Sequence, residues 1–235
     1  MQIESITHRG LYRSKNEDRY LVDVLDDDCA LLVIADGMGG HAAGEVAAEL
    51  AIETFKGFRP GGPDICAALV YQIDEAQKRV IERSLAVPSS SGMGSTLTVL
   101  FLSGKSAFWG HVGDTRIYHL HEGSLIRITE DHTIAGMLLQ RGDITREQAR
   151  IHPYGTVLTK CIGCERHEPD SGVFDLAHGD FVLVSSDGLH DLMTDEEIAV
   201  VLSANIPAAE KLDRMLSKCL EAGGRDNITA VMAGI

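Results

Sequence analysis

Between residues 96 and 128 the chain carries four short apolar runs, at 96–102, 107–112, 117–120 and 125–128, separated by turn sequences such as Ser103-Gly104-Lys105 and Glu122-Gly123-Ser124. A crossover between parallel strands needs a dozen or more residues, which none of these gaps offers, so the strands read as an antiparallel meander. Two continuous apolar runs, 31–35 and 181–184, have the length of strands buried on both faces, and 19–25 and 228–232 are strand-like as well. Helical spacing occurs elsewhere. Val46, Ala47, Leu50, Ala51 and Phe55 form one stripe, with Glu45, Glu49 and Glu53 on another face. Ile65, Leu69, Ile73, Ala76 and Val80 form a second stripe after the turn Arg59-Pro60-Gly61-Gly62-Pro63, and so short a connection favours an antiparallel helix pair. Residues 138–150, 195–202 and 208–220 also read as helical. Strands in runs and helices in pairs give an α+β fold with antiparallel sheets.

The 235 residues include 35 acidic and 21 basic side chains, a formal charge of −14, and are 44% hydrophobic, enough for one sizeable core in a single domain, 1–235. Charge of this sign argues against binding nucleic acid or an anionic membrane surface. No secretory leader follows Met1, and no apolar run approaches the roughly 18–20 residues that span a bilayer, so a cytoplasmic protein without membrane insertion is expected. The five cysteines lack framework spacing and read as reduced thiols. Cys161 and Cys164 form a CxxC without a second cysteine or histidine pair, and no role is assigned to them.

Aspartates recur at strand ends. Asp36 closes the run 31–35, Asp187 closes 181–186 and Asp114 follows 107–113, whereas Asp18 precedes 19–25 and Asp226 precedes 228–232. In an antiparallel sheet the end of one strand and the start of its neighbour share an edge, so five carboxylates are expected at one rim. They would repel one another unless cations were bound there. No histidine or cysteine shares the pattern. Oxygen-only ligation points to a hard ion, Mg²⁺ or Mn²⁺, and several carboxylates suit a pair of ions. Any one Asp-Gly is an ordinary turn former, so the flanking residues carry the argument. Arg13, five residues before Asp18, offers a planar, permanently charged fork for a phosphate. Residues 36–41 place three glycines after a buried strand, so the backbone can approach an ion or substrate and one of its carbonyls is a candidate ligand. A helix is expected to begin near His41, and residues 92–96 form a second glycine-rich strand entry.

In order, residues 13–18 (RSKNED), 36–41 (DGMGGH), 92–96 (GMGST), 113–116 (GDTR), Asp131-His132, 186–189 (SDGL) and 225–229 (RDNIT) resemble the metal-dependent protein phosphatases of type 2C, especially the compact bacterial form. The resemblance runs from about residue 5 to 234. It implies a four-layer α-β-β-α sandwich, two antiparallel sheets flanked by antiparallel helix pairs, with a small helical flap at about 131–166. It also implies hydrolysis of phosphoserine and phosphothreonine monoesters on proteins by a water activated between two metals, without a phosphoenzyme. Asp36 would bridge the two ions, the Gly37 carbonyl would bind one, and Asp187 and Asp226 would hold the other. Glu17 and Asp18 would orient water, Arg13 would hold the phosphate, and Asp114 with Asp187 would match a third, weaker metal site. Animal members carry a histidine as proposed general acid where this chain has Met38; His41 is the candidate substitute. The partners implied are phosphoprotein substrates and a cognate Ser/Thr kinase, with the enzyme a monomer. Two alternatives stay open: a catalytically inactive phosphoprotein-binding pseudophosphatase, and a hydrolase of small phosphoesters. Asp26-Asp27-Asp28 and the Glu45/Glu49/Glu53 row read as solvated surface, which would favour substrates with basic flanks, an effect that salt weakens.

Overall fold

A computed structural model describes residues 1–39 and 43–235; the candidate acid His41 lies outside the described residues. In chain order the strands are β1 (Gln2–His8), β2 (Arg19–Asp26), β3 (Cys29–Ala35), β4 (Gly37–Met38), β5 (Gly94–Ser95), β6 (Leu97–Ser103), β7 (Ser106–Val112), β8 (Arg116–His121), β9 (Ser124–Arg127), β10 (Asp170–Asp175), β11 (Phe181–Ser185) and β12 (Ile228–Gly234). The helices are α1 (Ala43–Glu53), α2 (Ile65–Ala86), α3 (Ile134–Gln140), α4 (Arg146–Arg150), α5 (Asp187–His190), α6 (Asp195–Ser203) and α7 (Ala208–Glu221). Two sheets dominate, in the orders β1-β12-β11-β8-β9 and β10-β7-β6-β3-β2, and a short β4–β5 ladder sits apart from them. Every neighbouring pair in the two large sheets is antiparallel.

The period of two along a strand explains why the central runs are apolar throughout. In β3, Leu31, Val33 and Ala35 pack against α1 and α2 together with Ala47, Ala51, Leu69 and Ile73. The alternate Leu32 and Ile34, with Leu100 of the same sheet, face the other sheet and meet Ile117, Val182, Val184 and Val231. In the other sheet Leu183, Ala230 and Met232 turn outward onto Ile198, Leu202, Leu212 and Met215 of α6 and α7. The result is helix, sheet, sheet, helix, as expected. Helix starts carry their own signals: the Asp64 side chain accepts from Ala67 N–H, and Thr194 with Glu197 closes a capping box. Among the described residues no helix is long and apolar enough to cross a membrane.

Four expectations need correction. The strands between 96 and 128 are not one meander: β6 and β7 belong to one sheet, β8 and β9 to the other. The chain changes sheets at Gly113-Asp114-Thr115. Gly113 has φ +112°, and a Cβ there would lie 2.5 Å from Thr96 Cγ2, so the passage requires glycine. The helix expected over 138–150 is two helices, because Gly142 takes φ +76° and Thr145 opens α4 with a capping box to Gln148. The glutamate row is not simply solvated, since Arg19 donates to Glu45 at 2.6 Å and to Glu49 at 3.0 Å, tying α1 to the start of β2. Finally, Cys161 and Cys164 are joined as a disulfide across a turn in which Gly163 has φ +89°, leaving Cys29, Cys66 and Cys219 free. The turn brings the two Cα atoms to 5.2 Å, a separation suited to such a bond. β1 and β10 were not anticipated; both carry mixed polar and apolar residues, and only pairing with β12 and β7 defines them.

Candidate metal centre

The antiparallel order puts the end of β3 beside the start of β2, with Arg19 opposite Ala35, so Asp18 and Asp36 share an edge. Asp187 follows β11 and Asp226 precedes β12, which are likewise paired. Asp36 is fixed through its backbone. Its N–H donates to Thr96 Oγ1 at 2.9 Å, and its carbonyl accepts from Thr96 N–H at 2.8 Å and Ser95 Oγ at 2.9 Å. Gly37 follows in a gap that admits no side chain, because a Cβ would stand 2.3 Å from the Gly44 carbonyl oxygen and 2.8 Å from that of Glu17.

The carboxylates perturb one another as a shared site requires. Burial first, then the charges of Asp18, Asp187, Asp114 and Asp226, raise the Asp36 carboxyl well above its ordinary range. Asp187 is raised in the same way by burial and by Asp114, Asp191, Asp226 and Asp18. Asp18 is pushed up to about 6, mainly by burial, although Thr229 and Ser186 oppose the shift. Asp114 is pushed up to about 7 by burial, Asp131 and Asp191, against the pull of Arg116. One oxygen of Asp18 accepts from Ser186 Oγ at 2.9 Å, but its Oδ1, like Oδ1 of Asp187, is buried with no hydrogen-bond partner among the described residues. An orphaned buried carboxylate oxygen is costly, and a bound cation is the partner that would satisfy both. The donors present, all oxygen, fit hard divalent ions.

Two features of the site escaped the sequence reading. Asp191 stands four residues after Asp187, one helical turn on, with its N–H bonded to the Asp187 carbonyl at 2.8 Å, and it faces the same carboxylates. The i, i+4 spacing across α5 is a signal that could have found it. Asn227 is the other. Its Oδ1 accepts from Glu17 N–H at 2.7 Å, and its Nδ2 donates to the carbonyls of Arg9 and Lys15, each at 2.9 Å. The loop carrying Arg13, Glu17 and Asp18 therefore hangs on one buried amide. Asn227→Ala is expected to destabilise the protein by about 2–4 kcal/mol, through three lost hydrogen bonds and the groups they leave unpaired. Urea unfolding measures it, and a change under 1 kcal/mol would contradict this role.

Arg13 donates from Nη2 to Asp226 at 2.6 Å and is otherwise half exposed at the rim. On the far side of Asp114, Arg116 grips Asp131 through two bonds of 3.0 and 2.7 Å, and Arg127 adds a third contact at 2.6 Å. His132 holds the Gly113 turn, its N–H donating to the Gly113 carbonyl at 2.7 Å and its Nδ1 accepting from Gly113 N–H at 3.1 Å. A cavity of about 360 Å³ runs from Asp114, Asp187 and Asp191 toward Arg146, Arg150 and His152 of the α3–α4 region. The geometry thus brings Asp18, Asp36, Gly37, Asp114, Asp187, Asp226, Glu17 and Arg13 to one end of the sandwich.

Residues 12–233 match the family described as protein phosphatase 2C. The chain belongs to the protein phosphatase 2C family. It is 37% identical over 231 residues to the serine/threonine protein phosphatase PstP of Mycobacterium tuberculosis, covering 97% of this chain but 43% of that protein. It therefore spans under half the length of that relative. It is 32% identical over 250 residues to the protein phosphatase PhpP of Streptococcus pneumoniae, covering all of this chain and 98% of that one. Among solved structures, the PstP catalytic domain in complex with two manganese ions superposes with a TM-score of 0.86 at 35% identity, covering 98% of this chain and 96% of that one. The 2C fold thus accounts for the two sheets and their helical covers.

Proposed function

We propose that this 2C phosphatase hydrolyses phosphoserine and phosphothreonine monoesters on proteins, reversing a Ser/Thr kinase. The observation that carries the reading is a rim of mutually repelling carboxylates, two of them with buried oxygens that have no hydrogen-bond partner among the described residues, facing an arginine. Divalent ions, Mn²⁺ or Mg²⁺, held by Asp36, the Gly37 carbonyl, Asp187 and Asp226, would polarise the phosphoryl oxygens and acidify the attacking water. Asp114, Asp187 and Asp191 would take a third ion. Arg13 uses one N–H on Asp226 and keeps the rest of its fork for the phosphoryl group, so Asp226 also sets its direction. Ser186 pins one oxygen of Asp18, which leaves the other free to orient water, with Glu17 beside it. His41, beyond Met38, is the group proposed to protonate the departing Ser or Thr oxygen. Residues 131–166 would form a flap over the cavity, and 1–235 one catalytic domain. Retention of the carboxylates disfavours a binding-only pseudophosphatase.

The test is phosphate release from phosphoserine and phosphothreonine peptides by the purified chain, with Mn²⁺, Mg²⁺ or a chelator. Metal-dependent release that exceeds the rate on nucleotides is expected. Equal activity with the chelator, or faster turnover of nucleotides, would overturn the proposal.

A further inference from the structure

At the end of the sandwich away from the aspartate rim, three side chains converge that the phosphatase chemistry does not use. His119 and His121 stand two apart on β8 and so project from the same face of the strand. Asp180 reaches them from the connection between β10 and β11. His119 Nε2 lies 2.7 Å from Asp180 Oδ2 and His121 Nδ1 lies 2.9 Å from Oδ1, and the three groups can offer ligand atoms that all lie within 4.8 Å of one another. We propose that His119, His121 and Asp180 form a second metal site, for a transition ion of the Zn²⁺ class.

The separations fit. Ligands bound at about 2.1 Å around a tetrahedral ion are about 3.4 Å apart, so an ion replacing the shared protons needs the two N···O distances to lengthen by only about half an ångström. The chemistry differs from that of the rim: two imidazoles and one carboxylate suit Zn²⁺, Co²⁺ or Ni²⁺, whereas the all-oxygen rim suits Mg²⁺ or Mn²⁺. The site is also built in advance. Asp180 is buried, and its Oδ2 accepts from Ala177 N–H at 2.8 Å, which fixes the carboxylate as outer partners fix metal ligands. Its own carbonyl accepts from Ile235 N–H at 2.9 Å, anchoring the loop to the end of β12. The His119 ring is buried and stacks on Phe174 with centroids 4.8 Å apart. His121 is 41% exposed, which gives an ion a way in and leaves open positions for water. Six residues of mostly extended chain separate Asp180 from Asp187, so the two centres are roughly 20 Å apart and bind independently.

The experiment uses the chelator-stripped full chain with the rim saturated by millimolar Mg²⁺, titrated with Co²⁺ and followed by visible absorption, then with Zn²⁺ by calorimetry. One equivalent with the absorption of a nitrogen- and oxygen-ligated ion is expected. Affinity should fall at least about tenfold in His121→Ala and in Asp180→Asn, and be unchanged in Asp36→Asn. Phosphatase activity of His121→Ala should be unchanged. Absence of binding, or binding lost in Asp36→Asn and kept in His121→Ala, would overturn the proposal, since the ion would then sit at the rim.

Discussion

Replacing Asp36 or Asp187 by asparagine lowers phosphatase activity about a thousandfold or more and raises the melting temperature of the metal-free protein. Both halves come from one cause. The substitutions keep shape and remove charge, so the site loses the anionic ligands that recruit its ions, worth several kcal/mol at the transition state. Without metal, the same charges only oppose folding, because each carboxyl is buried among four other acids. An asparagine there takes up no proton on folding and repels nothing. Thermal unfolding in a chelator, beside a Mn²⁺-supported phosphopeptide assay, reads the two effects. Activity kept by both variants would end the metal-centre account, and a lower metal-free melting temperature in both would end the repulsion account.

The second large effect is on pH. Asp18 and Asp114 sit near 6 and 7 in the folded protein, and Asp36 and Asp187 are raised further. A folded-state value above the unfolded one means that stability is fully present below about pH 4 and is lost as pH rises through the folded value. The metal-free protein should therefore weaken as pH rises from about 4 to about 7, the span between the ordinary carboxylate value and the folded values of Asp18 and Asp114. For Asp18 alone, a rise from 3.8 to about 6 corresponds to about 3 kcal/mol, or on the order of 5–10 °C. Asp131 and Asp180 work oppositely: their values lie below the ordinary range, and their contribution disappears as pH falls below about 4. Maximum metal-free stability thus falls near pH 4–5. Cations compete with the protons of the rim, so the melting-temperature gain on adding Mn²⁺ should grow from pH 5.5 to 7.5. A gain independent of pH would show that the raised carboxyls are not the ligands.

What the sequence disclosed follows from which interactions are local. The runs at 31–35 and 181–184 are apolar on both faces because both faces are covered, and an aspartate ending such a run stands out. Asn227 did not stand out, because its meaning lies in the carbonyls of Arg9 and Lys15, more than two hundred residues earlier. The exchange of sheets at Gly113 was hidden for a related reason: a three-residue link between two strands reads as a hairpin until the partners of each are known. Asp191 belongs to a different class, visible in its spacing and passed over beside the conspicuous Asp187-Gly188. The pairing of Cys161 with Cys164 depends on the backbone turn at Gly163, which composition does not reveal. His119, His121 and Asp180 gave no pattern because the third member arrives from another strand connection.

The position of β12 bears on when this molecule can begin to work. It lies between β1 and β11, pairing Gln2 with Gly234 on one side and Phe181 with Gly234 on the other, yet it is made after every other strand of either sheet. Until it leaves the ribosome, β1 has no neighbour, Asn227 cannot gather the Arg13–Asp18 loop, and Asp226 has not joined the rim. Pairing across almost the whole chain also makes this closure slow relative to local events. A nascent chain therefore carries Asp36 and Asp114 in a sheet whose strands are already synthesised, but no finished site. The complete rim, and with it the activity proposed for this chain, exists only once synthesis has passed the strand that closes the second sheet.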